Sequence, residues 1–277
     1  MLGLYKTIYR SLPSMARRWV FAVYARFVRG RVIQRDLGGY RAELHLNEIM
    51  DLAAHLGEYE PDMCQAIDAL TKPGMVVVDI GANIGIHALR FASRVEATGH
   101  VYAFEATNFA FRKLTRNAAL NANLKLEPIQ LALSNEPASN VEVDFRSSWR
   151  TDGSRGDLGT TTVNFVRLDD WVEKHGLTAL DIIKIDVDGY EAPVIQGAER
   201  TLARFRPLIM IEAWIEQYSP GLADPFALLE AAGYSLKLMV PRDRDIRASE
   251  VLPLLKKRSA AGAESFNILA TPVQAAH

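Results

Sequence analysis

Residues 75–85 read MVVVDIGANIG, and the fold follows from that stretch. Met75 to Ile80 is apolar and β-branched apart from Asp79, as a strand buried on both faces should be. Gly81 and Gly85 then bracket a sharp turn, and a helical pattern runs on from Ile84 to Val95. A strand, a glycine turn and a helix in that order put bare backbone and free helix N–H groups beyond a strand's carboxyl end. Working outward, the alternation repeats. Val101 to Glu105 (VYAFE) is the second strand, Asn108 to Asn121 a helix, and Leu126 to Leu133 the third strand. After a polar loop at 146–160, Asp181 to Asp186 (DIIKID) is the fourth, Glu191 to Phe205 a helix, and Pro207 to Ala213 (PLIMIEA) the fifth. Tyr234 to Val240 and Phe266 to Ala270 complete seven. Such alternation predicts an α/β, Rossmann-like domain: a mostly parallel seven-stranded sheet with helices on both faces. Residues 42–70 read as two helical patches around Pro61, so the chain divides into a basic, helical N-terminal extension (1–57) and the α/β domain (58–277).

Charge is unevenly spread. The 277 residues carry a formal net charge of −1, yet eight basic residues precede Asp36, the first acid. The body is therefore acidic, which argues against a nucleic-acid partner, while the arm suits an anionic surface. Its stretch WVFAVYARFV (19–28) supports two readings: a helix on a membrane surface or a partner, or one that packs on the domain and turns its arginines to water. Peripheral membrane contact through residues 1–35 is thus an expectation. Cys64 is the only cysteine, which excludes an intrachain disulfide and fits a reducing, cytoplasmic compartment. No apolar run reaches the ~20 residues of a membrane span, and no cleavage site follows an adequate apolar core.

The candidate site gathers at the carboxyl ends of the strands. Glu105 ends the second strand 24 residues after Gly81, where an acid accepts hydrogen bonds from ribose hydroxyls. A dinucleotide site needs G-x-G-x-x-G, but those positions are Gly81, Asn83 and Ile86, whose side chains crowd a pyrophosphate. Asp79 suits a cationic amino group, which S-adenosylmethionine has and NAD lacks. The residues therefore point to S-adenosylmethionine held by Asp79, Gly81, Ala82, Asn83, Gly85 and Glu105. In DIIKIDVDGYE (181–191), Asp186 and Asp188 are placed to take or orient the proton of an acceptor hydroxyl. Lys184, inside an apolar strand, needs a partner, with Glu191 or Glu212 in reach; the alternative is a buried ion-pair network. Asp186 and Glu212 are the pair to hold a divalent metal, if any. His87 reads as a packing residue or a base, and Tyr59-Glu60 as a closure over the cofactor.

Six motifs, in order, resemble the FkbM-type methyltransferases: VDIGANIG (78–85), FEA (104–106), LALSN (131–135), RLDDWV (167–172), KIDVDGYE (184–191) and RPLIMIEA (206–213). The resemblance spans roughly residues 58–270. It implies a class I methyltransferase fold and O-methylation of a sugar, glycolipid, polysaccharide or related natural product. By position it puts Asp79 to Gly85, Glu105 and Ala106 on the cofactor, the turn containing Leu133 and Ser134 near the adenine, and Asp186 with Asp188 near the acceptor. Ala106 replaces the family's usual proline, and Asp188 its usual glutamate, which weakens a chemical role at 188. The expected reaction is SN2 methyl transfer to a hydroxyl, with N-methylation as the alternative. A non-catalytic binding protein on this fold would be expected to lose the acids, yet Asp79, Glu105 and Asp186 are present. A small-molecule, glycan or glycolipid acceptor would meet the 146–160 loop and the N-terminal helices. The sequence does not set the oligomeric state.

Overall fold

The apolar runs become strands because both faces of the sheet are covered. The computed structural model describes residues 14–143, 161–218, 221–239, 244–260 and 265–273; the 146–160 loop and residues 1–13 of the arm lie outside them. In chain order the strands of the main sheet are β3 (Val76–Ile80), β4 (His100–Phe104), β5 (Leu126–Ile129), β9 (Ile182–Ile185), β10 (Leu208–Trp214), β11 (Tyr234–Leu238), β12 (Arg244–Ile246) and β13 (Ser265–Pro272). Their spatial order is β12-β11-β13-β10-β9-β3-β4-β5. β10, β9, β3, β4 and β5 run parallel, and β13 runs antiparallel between β10 and β11. This is the mostly parallel α/β architecture expected, with one strand more than the seven read from sequence: the short edge strand β12.

On one face, α3 (Pro61–Leu70), α4 (Ile86–Val95) and α5 (Asn108–Ala119) bury Met63, Ile67, Phe91, Val95 and Leu114 against the sheet. On the other, α6 (Leu168–Lys174), α7 (Glu191–Gln196), α8 (Glu199–Phe205), α9 (Pro225–Ala231) and α10 (Ala248–Ser259) bury Trp171, Val194, Leu202, Phe226 and Leu255. From β3 the chain steps outward to β4 and β5, then returns to β9 and β10 on β3's other side. The crevice at the carboxyl ends of β3 and β9 is therefore the switch point where ligands of open α/β sheets bind.

Two sequence expectations are corrected. Leu126 to Leu133 is not one strand: it divides after Ile129, and β6 (Ala132–Leu133) joins β8 (Thr161–Val166) and β7 (Ala138–Val143) in a small separate sheet. The N-terminal extension is not all helical. After α1 (Ser14–Val28), β1 (Val32–Asp36) and β2 (Arg41–His45) form an antiparallel hairpin, followed by α2 (Ile49–Leu56). Its turn uses Gly38 and Gly39 at φ +95° and +106°, whose N–H groups donate to Asp36 Oδ1, the turn chemistry short acidic and glycine residues provide.

The extension is held by a polar stripe at 113 and 117, successive turns of one face of α5, continued by Asn121 in the turn just after it. Asn117 Oδ1 accepts from Glu43 N and Asn121 Oδ1 from Arg41 N, both at 2.7 Å. Lys113 pairs with Asp51, which also accepts from His45 N at 2.6 Å. Beneath them Leu44, Leu46, Leu52 and Leu56 pack with Ile84, Ile86 and Leu89 of the turn and α4, and Ala25 and Val28 of α1 join the same core. The end of α1 thus packs on the domain, as the second reading of the arm expects, with Arg26 exposed and Phe27 76% exposed. Among the described residues, no helix is long and apolar enough to cross a membrane.

Candidate active site

Gly81 is glycine for two reasons. Its φ is +77°, and a Cβ there would stand 1.8 Å from the carbonyl oxygen of Asp186. The bare backbone thus admits the end of β9, not only a ligand. Gly85, at φ +89°, would drive a Cβ to 2.6 Å from Leu114 Cδ1, so it seats α4 against α5. Between them Ala82 is buried and Asn83 takes φ +50°. The N–H of Asn83 donates to Glu105 Oε2 at 2.9 Å, and Thr107 donates to Oε1 through its N–H (2.8 Å) and hydroxyl (2.6 Å). Glu105 therefore clamps the glycine turn to the N-terminus of α5. About one of a carboxylate's four acceptor positions remains open. Burial pushes this carboxyl's pKa up, and these hydrogen bonds oppose it. Ala106, half-buried, follows in the same turn.

Strand register makes Asp79 and Lys184 direct neighbours across β3 and β9. Lys184 Nζ lies 2.9 Å from Asp186 Oδ2 and 3.6 Å from Asp79 Oδ1. This corrects the expected partners: Lys184 answers Asp186 and Asp79, while Glu191 Oε1 accepts from the N–H groups of Val187 and Gly189 and shapes the turn after β9. Burial alone would lower the Lys184 pKa; Asp186, Asp79 and Glu60 together hold it above the ordinary lysine value. Burial would raise Asp186, but Lys184 wins and keeps it below the usual carboxylate range. Asp79 is fully buried, and neither of its oxygens has a hydrogen-bond partner.

Glu212, on β10, hydrogen-bonds Asp186; burial first, and the charge of Asp186 second, push it up to about 9. That shift favours the protonated form of Glu212 beside the charged Asp186. Asp186, one of the pair named for a metal, is paired with Lys184 at 2.9 Å. Among the described residues, no group of three or more His, Cys, Asp or Glu side chains is arranged to hold a metal ion. Asp188 is exposed on the loop beyond, at φ +50°.

Sequence reading placed two further residues only loosely. Glu60 precedes α3, at φ +35°, and the hydroxyl of Tyr59 hydrogen-bonds it. Its carboxylate lies 3.9 Å from His87 Nε2 and faces Asp186, Lys184 and Asp79. His87 is 3% exposed, its ring is tilted by 41° against that of Tyr59 with centroids 4.9 Å apart, and its Nε2 has no hydrogen-bond partner. Burial drives its pKa well down, so it is neutral. Leu133 and Ser134 stand apart from this cluster. Leu133 packs in the core with Phe104 and Trp171. Ser134 is buried, and its carbonyl would lie 2.1 Å from a Cβ on Gly197, a close approach that sequence reading missed.

The site thus combines a glycine turn, an acid at the end of β4, and three carboxyls around one buried lysine, with Glu212 beyond Asp186. The methyltransferase FkbM domain matches residues 79–236 of the chain. The 2-O-methyltransferase NoeI of Sinorhizobium fredii is 30% identical, over 51% of this chain and 65% of that protein. The hexuronic acid methyltransferase AglP of Haloferax volcanii is 28% identical, over 52% and 58% respectively. The 31-O-demethyl-FK506 methyltransferase FkbM of Streptomyces tacrolimicus is 26% identical, over 68% and 83%. The chain spans less than two thirds of the first two relatives. The N-terminal hairpin, Tyr59 and Glu60 all precede the matched segment.

Proposed function

This chain belongs to the FkbM methyltransferase family, and on that footing we propose that it transfers a methyl group from S-adenosylmethionine to a hydroxyl oxygen of a sugar-bearing acceptor. The observation that carries the reading is Asp79: a buried carboxylate beside the glycine turn that meets only Lys184, at 3.6 Å and shared with Asp186, and whose oxygens accept no hydrogen bond. A buried carboxylate so incompletely satisfied is costly, and the amino group of S-adenosylmethionine is a cation suited to it. The turn Gly81 to Gly85 and the first N–H groups of α4 suit the cofactor's carboxylate. The remaining acceptor position of Glu105 suits its ribose, with Ala106 beside it and the Leu133–Ser134 turn on the adenine side.

When bound, the cofactor supplies a methyl group on a positively charged sulfur. That group is already activated, so the chain's task is alignment and charge management. Asp186, fixed by Lys184 and Glu212, orients the acceptor hydroxyl, and Asp188 lies on the rim where the rest of the acceptor enters. Relatives named as 2-O- and hexuronic acid methyltransferases favour a sugar or uronic acid, free or lipid-linked. We place the exposed Phe27 and Val32, among Arg26, Arg29 and Arg31, at an anionic cytoplasmic membrane surface.

The experiment is transfer of isotopically labelled methyl to a panel of methyl glycosides, methyl glycosiduronic acids and amino sugars. Label in a base-stable ether is expected. Label only on nitrogen, or only as a base-labile ester, would contradict the reading.

A further inference from the structure

Glu60, Asp79 and Asp186 face a single ammonium, that of Lys184, and Glu212 faces Asp186 and Glu60. Were all four ionised, the cluster would hold a buried excess of three negative charges, so protons stay on the acids least tied to the lysine. Asp186 is tied most closely, at 2.9 Å. Glu212 keeps its proton in the hydrogen bond to Asp186 and also accepts from Ser265. Asp79, wholly buried beside the glycine turn, is the group assigned above to the donor's amino cation. Glu60 differs from all three. Its side chain is 34% exposed, so a ligand can reach it. Its backbone holds φ +35° immediately before Pro61, a left-handed conformation disfavoured for a residue with a Cβ and disfavoured again before proline. Strain of this kind persists where the surroundings fix a side chain for use.

We propose that Glu60 is the general base of the methyl transfer, protonated in the free protein and stripped of its proton when the cationic donor binds. The inference rests on the methyltransferase reading. The groups around Glu60 are the hydroxyl of Tyr59, neutral His87 on α4, Cys64 on α3, Asp79 on β3, Lys184 and Asp186 at β9, and Glu212 on β10. Only Lys184 among them carries positive charge, and Asp186 engages it. A second cation would therefore lower the cost of ionising Glu60. Burial, then the charge of Asp186, push Glu60 up to about 7, with Lys184 and Tyr59 opposing, where a base serves best.

The cycle then closes. The acceptor oxygen bonds to the methyl carbon as the carbon–sulfur bond breaks, and that electron pair stays on sulfur. The hydroxyl proton passes to the Glu60 carboxylate. The by-product, S-adenosylhomocysteine, has lost the sulfonium charge, and Glu60 is left in the protonated state of the free protein. The proton that leaves to solvent does so when the donor binds.

The test is calorimetric titration of the full chain with S-adenosylmethionine and with S-adenosylhomocysteine, in buffers of differing ionisation enthalpy, which counts protons released on binding. At pH 6.5 the wild type should release roughly half a proton or more per S-adenosylmethionine bound, and clearly less with S-adenosylhomocysteine. Glu60→Gln should bind both and lose that difference. Tyr59→Phe removes a hydroxyl that favours the charged carboxylate, so at pH 7.5 it should release more than the wild type; this arm carries the test if Glu60→Gln does not fold. Equal release with the two ligands, release unchanged in Glu60→Gln, or release unchanged in Tyr59→Phe would overturn the proposal. If neither ligand binds the wild type, the methyltransferase reading itself falls, and the role of Glu60 with it.

Discussion

Lys113 and Lys184 are both buried, and each faces a buried aspartate, but their surroundings differ in kind. Lys113 pairs one to one with Asp51, whose carboxylate also takes the N–H of His45. Around the pair, Asn117 and Asn121 exchange hydrogen bonds with the backbone of β2 and the turn. Its polar atoms are matched, and the result is a joint between the N-terminal hairpin and α5. Lys184 sits among three carboxyls, Asp79, Asp186 and Glu60, with no hydrogen bond to Asp79, His87 held neutral and Glu212 pushed up to about 9. Matched burial marks a structural joint; unmatched burial marks a place arranged for a charge that arrives from outside.

The largest effect that would test this contrast is Lys113→Met. It leaves Asp51 buried and uncompensated, at a cost of about 3–5 kcal/mol, read by chemical denaturation, while the protein that remains folded should bind S-adenosylhomocysteine as before. A loss of binding equal to that of a site variant would erase the distinction between the two lysines. Glu105→Ala should do the reverse. Stability falls modestly, while affinity for S-adenosylhomocysteine drops by roughly 10- to 150-fold, the equivalent of about 1.5–3 kcal/mol for a charge-assisted contact.

Asp79→Asn is the sharper probe. Asp79 accepts no hydrogen bond, and its lysine keeps Asp186 at 2.9 Å, so its removal should change stability by no more than about 1 kcal/mol, yet weaken S-adenosylmethionine binding about tenfold in the same calorimeter. A clear loss of stability would mean that Asp79 is structural after all.

The smallest effect is in pH. Glu60 and Glu212 have folded pKa values raised to about 7 and about 9, against roughly 4.3 unfolded. The folded chain therefore binds more protons than the unfolded one, and the stability these groups contribute, full below the unfolded value, is lost as pH rises through 7 and then 9. Tm should fall by a few degrees from pH 5.5 to 8.5, and Glu212→Gln should flatten that slope.

What the sequence made legible was local. MVVVDIGANIG announces strand, turn and helix within eleven residues, so Asp79, Gly81 and Gly85 could be placed without knowing anything distant. Glu105 and Asp186 followed because each ends a recognisable apolar strand. What stayed hidden depends on register. Asp79 and Lys184 meet because β3 and β9 align as they do, and no spacing along the chain reveals that; Glu191 looked equally eligible and proved to hold a turn. The hairpin was missed because β2 is only half-buried and its apolar positions also fit a helix, although Asp36, Gly38 and Gly39 signalled the turn. Glu60 was read with Tyr59 only as a closure over the cofactor, because its place among the acids comes from α3 packing beside α4.

The measurement that bears most directly on the central claim is titration of the purified chain with S-adenosylhomocysteine, with NAD⁺ as control. Micromolar binding of the first and none of the second is the expected result. No binding of S-adenosylhomocysteine to folded protein would contradict it, and would leave the buried oxygens of Asp79 without the hydrogen-bond donor that explains them.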